Sequence, residues 1–322
     1  MTPLAEILAA RIRRDGPIAF SDFMDAALYH PEHGYYRTPR DPFGIHGDFF
    51  TASQLQPVFG RLIAAAIASL RTRLGHPDPF TVADWGAGRA ELAPYLSHFH
   101  YLPIDSATVD NPAPFTGVVF SNELFDALPV DVASIRGGEA LLMRVAFLND
   151  AFTWQPSEPV STEWRDYLDP LAARFDDRSD LLIELPIRLR PTLHRMAASL
   201  HSGAIIAIDY GYTAREIVRF PRGTLMSYRR HQALDDVLRD PGLQDITAHV
   251  PFTHLQECAA AFGLLSEPLE NMARFLLRAG EPDQFASALA APDEPAAAQL
   301  RLQLKTLLFG MGETFRVLTL TR

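Results

Sequence analysis

Apolar residues recur at helical spacing along some stretches of the chain and gather into short continuous runs along others. Leu4, Ile7, Leu8 and Ile12 mark one face of a helix over residues 2–14, which Gly16-Pro17 ends. Ser21 is placed to cap a second helix over 22–29. A loop rich in Pro and Gly follows and extends through Gly47-Asp48-Phe49-Phe50-Thr51; loops this long inside a compact protein tend to be functional. Residues 57–74 read as a helix with an Ala-rich face. Thr81-Val82-Ala83 is a short apolar run ending in Asp84, and residues 90–99 look helical again. The run 117–121 has the pattern of a buried strand, and 131–154 alternates around Gly137-Gly138 as a hairpin does. Further on, 162–175 and 189–200 read as helices. Residues 181–184 fit either a strand end or the start of the helix after them. Gly203 to 209 is a buried strand, and 215–240 is polar and irregular. Residues 252–262, 272–278 and 296–308 read as helices, and 315–320 closes the chain as a strand.

Between the run at 81–83 and the segment from Ala90 lies Gly86-Ala87-Gly88. Strand, glycine turn and helix in that order let a backbone approach a ligand with no Cβ in the way. The same GxG is also found as a plain tight turn. Glu91 stands where a dinucleotide fingerprint has its third glycine, which disfavours a dehydrogenase. Asp105, about 20 residues on, closes the run Tyr101-Leu102-Pro103-Ile104. There it would accept hydrogen bonds from a ribose, a group shared by S-adenosylmethionine and NAD.

The stretch after Asp105 is short. Residues 106–116 include Pro112 and Pro114 and leave room for one connection, not for a helix, a strand and a second connection. The sheet is therefore expected to be one strand short here. The strand at 117–121 runs into Asn122-Glu123-Leu124-Phe125-Asp126, which puts three polar groups where α/β folds hold ligands.

Composition narrows the partners. The 322 residues are 48% hydrophobic, enough for one elaborated domain or two small ones. A net charge of -10 disfavours nucleic acid. The single cysteine, Cys258, excludes an internal disulfide and reads as a core residue. No apolar stretch is long enough to span a membrane, and the N-terminus lacks a signal-peptide core, so a cytoplasmic protein is expected. His30 and His33 lack further ligands at metal-site spacing and read as loop braces; no metal is expected. Asp209 reads as a strand-tip cap. Arg229, Arg230 and His231 fit either an anionic group or a solvated charge run.

Several longer runs are distinctive: GPIAFSDFMDAALYHPEHGYY near the start, GDFFTA at 47–52, the GAG turn, SNELFDALPV at 121–130, AIDYG at 207–211, GTLMSYRRH at 223–231, DITAHVPFTHL at 245–255 and MGETFRVL at 311–318. On these runs the chain resembles, over nearly its whole length, the MidA-type S-adenosylmethionine-dependent methyltransferases. That family includes the mitochondrial protein-arginine methyltransferase of respiratory complex I assembly. The resemblance implies an α/β fold: a Rossmann-like class I methyltransferase core with an N-terminal helical cap and an inserted β-hairpin and helical region. The expected divisions are 1–60 for the cap and GDFFTA loop, 61–135 for the first part of the core, 136–179 for the insertion and 180–322 for the rest. It implies S-adenosyl-L-methionine as cofactor, with Gly86 and Gly88 facing its methionine part, Asp105 its ribose, Asn122 beside it, and Asp48 and Thr51 closing over it. Glu123 would be the acid at the tip of the fourth core strand and Asp126 a second carboxylate. Ala90 stands where the family often has a further glycine, and the shortened segment after Asp105 replaces a helix and strand beyond which relatives flank the adenine.

The activity so implied is symmetric dimethylation of an arginine in a partner protein, a respiratory-complex subunit or its homologue. A guanidinium is protonated and has no free lone pair, so two carboxylates that clamp it are the chemistry to look for. Rival readings are a non-catalytic relative that acts as a binding or assembly factor, a small-molecule methyltransferase and, remotely, a nicotinamide dehydrogenase. The Ala-rich helices are compatible with a homodimer.

Overall fold

The computed structural model describes residues 1–38, 56–105, 111–175, 180–229 and 232–322. In chain order the elements begin with α1 (Pro3–Asp15), β1 (Ile18–Ala19), α2 (Phe20–Tyr29), α3 (Val58–Arg73), β2 (Thr81–Trp85), β3 (His100–Ile104) and β4 (Phe115–Asn122). Then come β5 (Asp131–Arg136), β6 (Glu139–Leu148), β7 (Ala151–Pro159), α4 (Thr162–Ala172), β8 (Leu181–Leu185), α5 (Leu189–Ser199) and β9 (Leu200–Tyr212). The remainder is β10 (Met226–Arg229), β11 (Gln232–Leu234), β12 (Asp245–Thr247), β13 (Val250–Pro251), α6 (Phe252–Ala261), β14 (Leu265–Ser266), β15 (Glu270–Asn271), α7 (Met272–Gly280), α8 (Glu294–Thr306), α9 (Gly312–Thr314) and β16 (Phe315–Thr321).

The chain divides into two compact units. The second, made of Thr51–Phe125, Pro191–Gly211 and His254–Arg322, holds a sheet of order β14-β16-β9-β4-β2-β3. β3, β2, β4 and β9 run parallel, and β16 lies antiparallel against β9. From β2 the chain moves outward to β3 and later returns on the other side as β4. The C-terminal ends of β2 and β4 therefore flank a topological switch point, where open α/β sheets bind ligands. Among the described residues β3 stands at the end of this strand path, as the short segment after Asp105 leads one to expect. Leu62, Ile63 and Ile67 of α3 recur at helical spacing and pack with Val82, Val118, Phe120 and Ile206. Each such side chain contributes about 1.5–3 kcal/mol by leaving water.

The first unit comprises Met1–Phe50, Asp126–Arg190 and Tyr212–Thr253. Its main sheet has the order β1-β6-β5-β8, with β7 on β6. A second sheet has the order β11-β10-β12. α1 is capped by Thr2, whose Oγ1 accepts from the Ala5 N–H at 3.0 Å, and it ends at Gly16 with φ 86. Its Leu4, Leu8 and Ile12 join Phe23 and Met24 of α2 and Val132 and Val145 of the sheet in one core.

Several expectations change. Residues 90–99 form successive turns, not a helix. Ala90 has φ 54, and the hydrogen bonds run mostly over three residues: Ala90 N to Ala87 O, Ala93 N to Ala90 O, Tyr95 N to Leu92 O. Pro94, which has no N–H, sits in the middle. α2 starts at Phe20, so Ser21 lies inside it rather than capping it, and its N–H donates to Asp131 Oδ1 at 3.0 Å. The expected hairpin is a three-stranded meander, because Asn149 and Asp150 take positive φ and turn the chain a second time. Residues 181–184 lie in a strand, and 215–240 contain β10 and β11.

Candidate functional site

The turn after β2 is exposed and left-handed, with φ 76 at Gly86 and 52 at Gly88. The Gly86 N–H donates to Ile104 O at 2.8 Å, and that of Ala87 reaches the same oxygen at 3.4 Å. These bonds hold the turn against the end of β3, next to the exposed Asp105. A Cβ on Gly86 would stand 3.0 Å from Leu124 Cδ1. No helix follows the turn, so what it presents is glycine backbone. Behind it Asp84 is buried, and the Tyr101 hydroxyl donates to its Oδ2 at 2.6 Å. Burial pushes Asp84 up to about 6, with the hydrogen bond pulling the other way.

At the end of β4, Ser121 is registered with Trp85. Asn122 Nδ2 donates to Glu123 Oε1 at 3.0 Å. The Glu123 N–H donates to Ile208 O at 2.9 Å, and the residue has φ 51, a left-handed conformation that costs a non-glycine residue about 1–2 kcal/mol. Such strain at the tip of a central strand marks a position where the side-chain direction is imposed. Asn122 to Ala127 is therefore not a helical turn. Asp209 caps as expected: Oδ2 accepts from the Phe125 N–H and Oδ1 from the Tyr210 N–H, each at 2.9 Å. Three polar atoms in this region, Trp85 Nε1, Ser121 Oγ and Asn122 Oδ1, are buried with no hydrogen-bond partner among the described residues.

Glu123 and Asp126 fall in different units. Asp126 is 4% exposed, and its main-chain carbonyl accepts from Ala248 N–H at 2.9 Å. Its unit holds a second buried acid, Asp245, whose Oδ1 accepts from the Tyr36 hydroxyl at 2.9 Å. Burial, and then the charges of Asp245 and Asp126, push both Tyr36 and Tyr228 up. Two buried carboxylates thus act on the same two tyrosines. Sequence reasoning assigned no role to Asp245, Tyr36 or Tyr228. The available signal was an acid, Asp245, set just before the apolar Ile246 inside one of the distinctive runs.

Asp48, Thr51, Arg230 and His231 lie outside the described residues. Arg229 Nη1 pairs with Asp240 Oδ2 at 3.0 Å. His30 Nδ1 accepts from the Glu32 and His33 N–H groups, both at 3.3 Å, which is the bracing role expected of it. Cys258 is buried on α6, with Sγ 3.6 Å from His254 Nε2. Among the described residues no three His, Cys, Asp or Glu side chains are grouped to hold a metal, and no helix is long and apolar enough to cross a membrane.

Comparison with known proteins gives consistent results. A family model described as "Putative S-adenosyl-L-methionine-dependent methyltransferase" matches residues 95–267, more than half of the chain. A Drosophila melanogaster protein named protein arginine methyltransferase NDUFAF7 homolog, mitochondrial, is 28% identical, over 81% of this chain and 70% of its own length. The Bos taurus protein arginine methyltransferase NDUFAF7, mitochondrial, is 25% identical, over 99% and 83%. A crystal structure from Burkholderia thailandensis, bound to S-adenosyl-homocysteine, superposes with a TM-score of 0.87 at 28% identity, covering 99% of this chain and 92% of that one.

Proposed function

The chain belongs to the family of S-adenosyl-L-methionine-dependent methyltransferases, and we propose that it methylates an arginine side chain of a partner protein, with symmetric dimethylarginine as the product. The cofactor is S-adenosyl-L-methionine. The residues at the switch point fit that group. The exposed Gly86-Ala87-Gly88 turn offers backbone without side chains, Asp105 offers acceptors for ribose hydroxyls, and the buried Asn122 Oδ1 lacks a donor that a ligand N–H would supply. When bound, the cofactor supplies a methyl group activated on a sulfonium sulfur.

The chain's own task is to bind and orient the acceptor. In-line displacement requires the attacking nitrogen about 3–3.5 Å from the methyl carbon, so holding the guanidinium in place is most of the catalysis. Glu123, the half-buried carboxylate at the tip of β4, is assigned that task. Carboxylates bind a guanidinium in paired, charge-assisted hydrogen bonds and draw its charge toward the nitrogens they hold. Methylation of a guanidinium nitrogen releases one proton. Glu123, half-buried at the strand tip, can take it and pass it to water, whereas Asp126 is buried. The observation that carries the arginine reading is the imposed geometry of Glu123: left-handed, fixed through its N–H to Ile208 O and through its side chain to Asn122.

The test uses the purified full chain, methyl-labelled S-adenosylmethionine and an extract of cells that lack the protein. Label recovered from precipitated protein as mono- and symmetric dimethylarginine supports the reading. Label confined to small molecules would replace it with a small-molecule methyltransferase. No label at all, with the cofactor bound, would leave a non-catalytic binding factor.

A further inference from the structure

One face of the β5–β8 pair opens on a cavity of about 250 Å³, several times the ~30 Å³ share of a water molecule. Val132 is registered with Glu184 and Ser134 with Leu182, so these four side chains share that face. Met143, Trp154, Leu225 and Val237 extend an apolar wall around it. Four exposed residues, Arg136, Asp180, Arg222 and Asp235, stand at the rim and balance in charge; Arg136 Nε lies 2.8 Å from Asp180 Oδ1.

Glu184 is the charged group in the interior of this cavity and is only 4% exposed. Its Oε1 accepts from the Thr224 and Leu225 N–H groups at 2.6 and 3.0 Å. Gly223, with φ 79, brings that segment so close that a Cβ there would lie 2.5 Å from Oε1. The other oxygen, Oε2, is buried with no hydrogen-bond partner among the described residues. Burial raises the carboxyl above its ordinary value, and the backbone N–H groups of Thr224, Glu184 and Leu225 together with the Thr224 hydroxyl offset part of that. A buried acid with an unmet acceptor costs free energy until something pairs with it.

We propose that this cavity binds an organic cation of the alkylguanidinium class, its N–H groups on Glu184 Oε2 and its apolar stem along the wall of Val132, Met143 and Leu182. A cation answers both the charge and the missing donor. A guanidinium is weakly hydrated and forks onto a carboxylate, so it leaves water more readily than an ammonium. Trp154 adds an aromatic wall that favours a cation over an anion. The same chemistry comes from an arginine side chain of a polypeptide or from a free guanidino compound. The inference does not depend on methyl transfer.

The test is NMR of the full chain labelled with carbon-13 on its methionine methyls, the Met143 signal being assigned through Met143→Leu. Butylguanidinium should shift that signal saturably, and 1-butanol and butyrate should not. Glu184→Gln, which keeps the acceptor for Thr224 and Leu225, should raise the half-saturating concentration about tenfold, the scale of a charged hydrogen bond. Ser134→Leu fills the cavity and should abolish the shift. Equal shifts with 1-butanol, no shift with the cation, or an unchanged midpoint in Glu184→Gln would overturn the proposal. If Glu184→Gln does not fold, an unchanged midpoint in Ser134→Leu would do the same. Blocked arginine that binds as well as butylguanidinium supports a polypeptide source; butylguanidinium binding alone supports a free compound.

Discussion

Replacing Gly86 by alanine tests whether the turn after β2 is the cofactor cradle. The new Cβ meets Leu124 Cδ1 at 3.0 Å, the mobile end of a side chain, so steric relief is cheap. The backbone is the larger obstacle: φ 76 in a residue with a Cβ costs about 1–2 kcal/mol. The variant escapes by leaving the left-handed region and loosening the Gly86 N–H bond to Ile104 O, the contact that sets the turn beside Asp105. If the bound cofactor requires the native turn, that cost appears as a loss of affinity of about 5- to 30-fold. Gly75 provides the control. It has φ 80 and nothing within 4 Å of a Cβ, so Gly75→Ala carries the same backbone cost away from the turn. Calorimetric titration with S-adenosylhomocysteine and thermal unfolding should both be run. Both variants should melt a few degrees lower, and only Gly86→Ala should bind more weakly. Equal affinity in the two variants would refute the cradle assignment.

Three other outcomes are expected. Glu123→Gln should abolish methyl transfer while leaving cofactor affinity within a few-fold; unchanged turnover would remove Glu123 from the reaction. Asp84 is lifted from 3.8 to about 6 by burial, so between those values the folded state binds more protons than the unfolded chain. Stability contributed by this group should then fall as pH rises from about 4 to 6, by about 3 kcal/mol at most. Denaturant titrations of Asp84→Asn should show a shallower decline over that window, and an identical pH profile would contradict the burial argument. Asp245→Asn should weaken the acceptor held by the Tyr36 hydroxyl and lower the midpoint of unfolding by an amount equivalent to about 1 kcal/mol; Tyr36→Phe in the same background should add little further loss, and full additivity would deny the bond.

Local pattern was enough for the sheet of the second unit. GVVF and GAIIAID are apolar runs that lie buried in it, and the spacing of Leu62, Ile63 and Ile67 announces α3. The segment 90–99 misleads because Leu92, Leu96 and Phe99 keep near-helical spacing, yet Ala90 turns left-handed and Pro94 interrupts the bonding. The placement of Glu123, Asp105 and the glycines at strand ends was readable because they stand next to the apolar runs that define those ends. Asp245 and Tyr36 were not, since their bond joins residues 209 apart in sequence. Glu184 was hidden for another reason: in LLIEL an acid reads as the polar end of a strand, and only the packing of residues 221–225 against β8 makes it a buried, half-satisfied carboxyl.

The central claim is that S-adenosylmethionine binds at the ends of β2, β3 and β4, with Asp105 on the ribose. Calorimetric titration of the full chain and of Asp105→Ala with S-adenosylmethionine tests it most directly. The account expects micromolar binding by the wild-type chain and a loss of about tenfold or more in the variant, the scale of a hydrogen bond to a charged group. Absence of binding up to millimolar cofactor, or equal affinity in the two proteins, would contradict it.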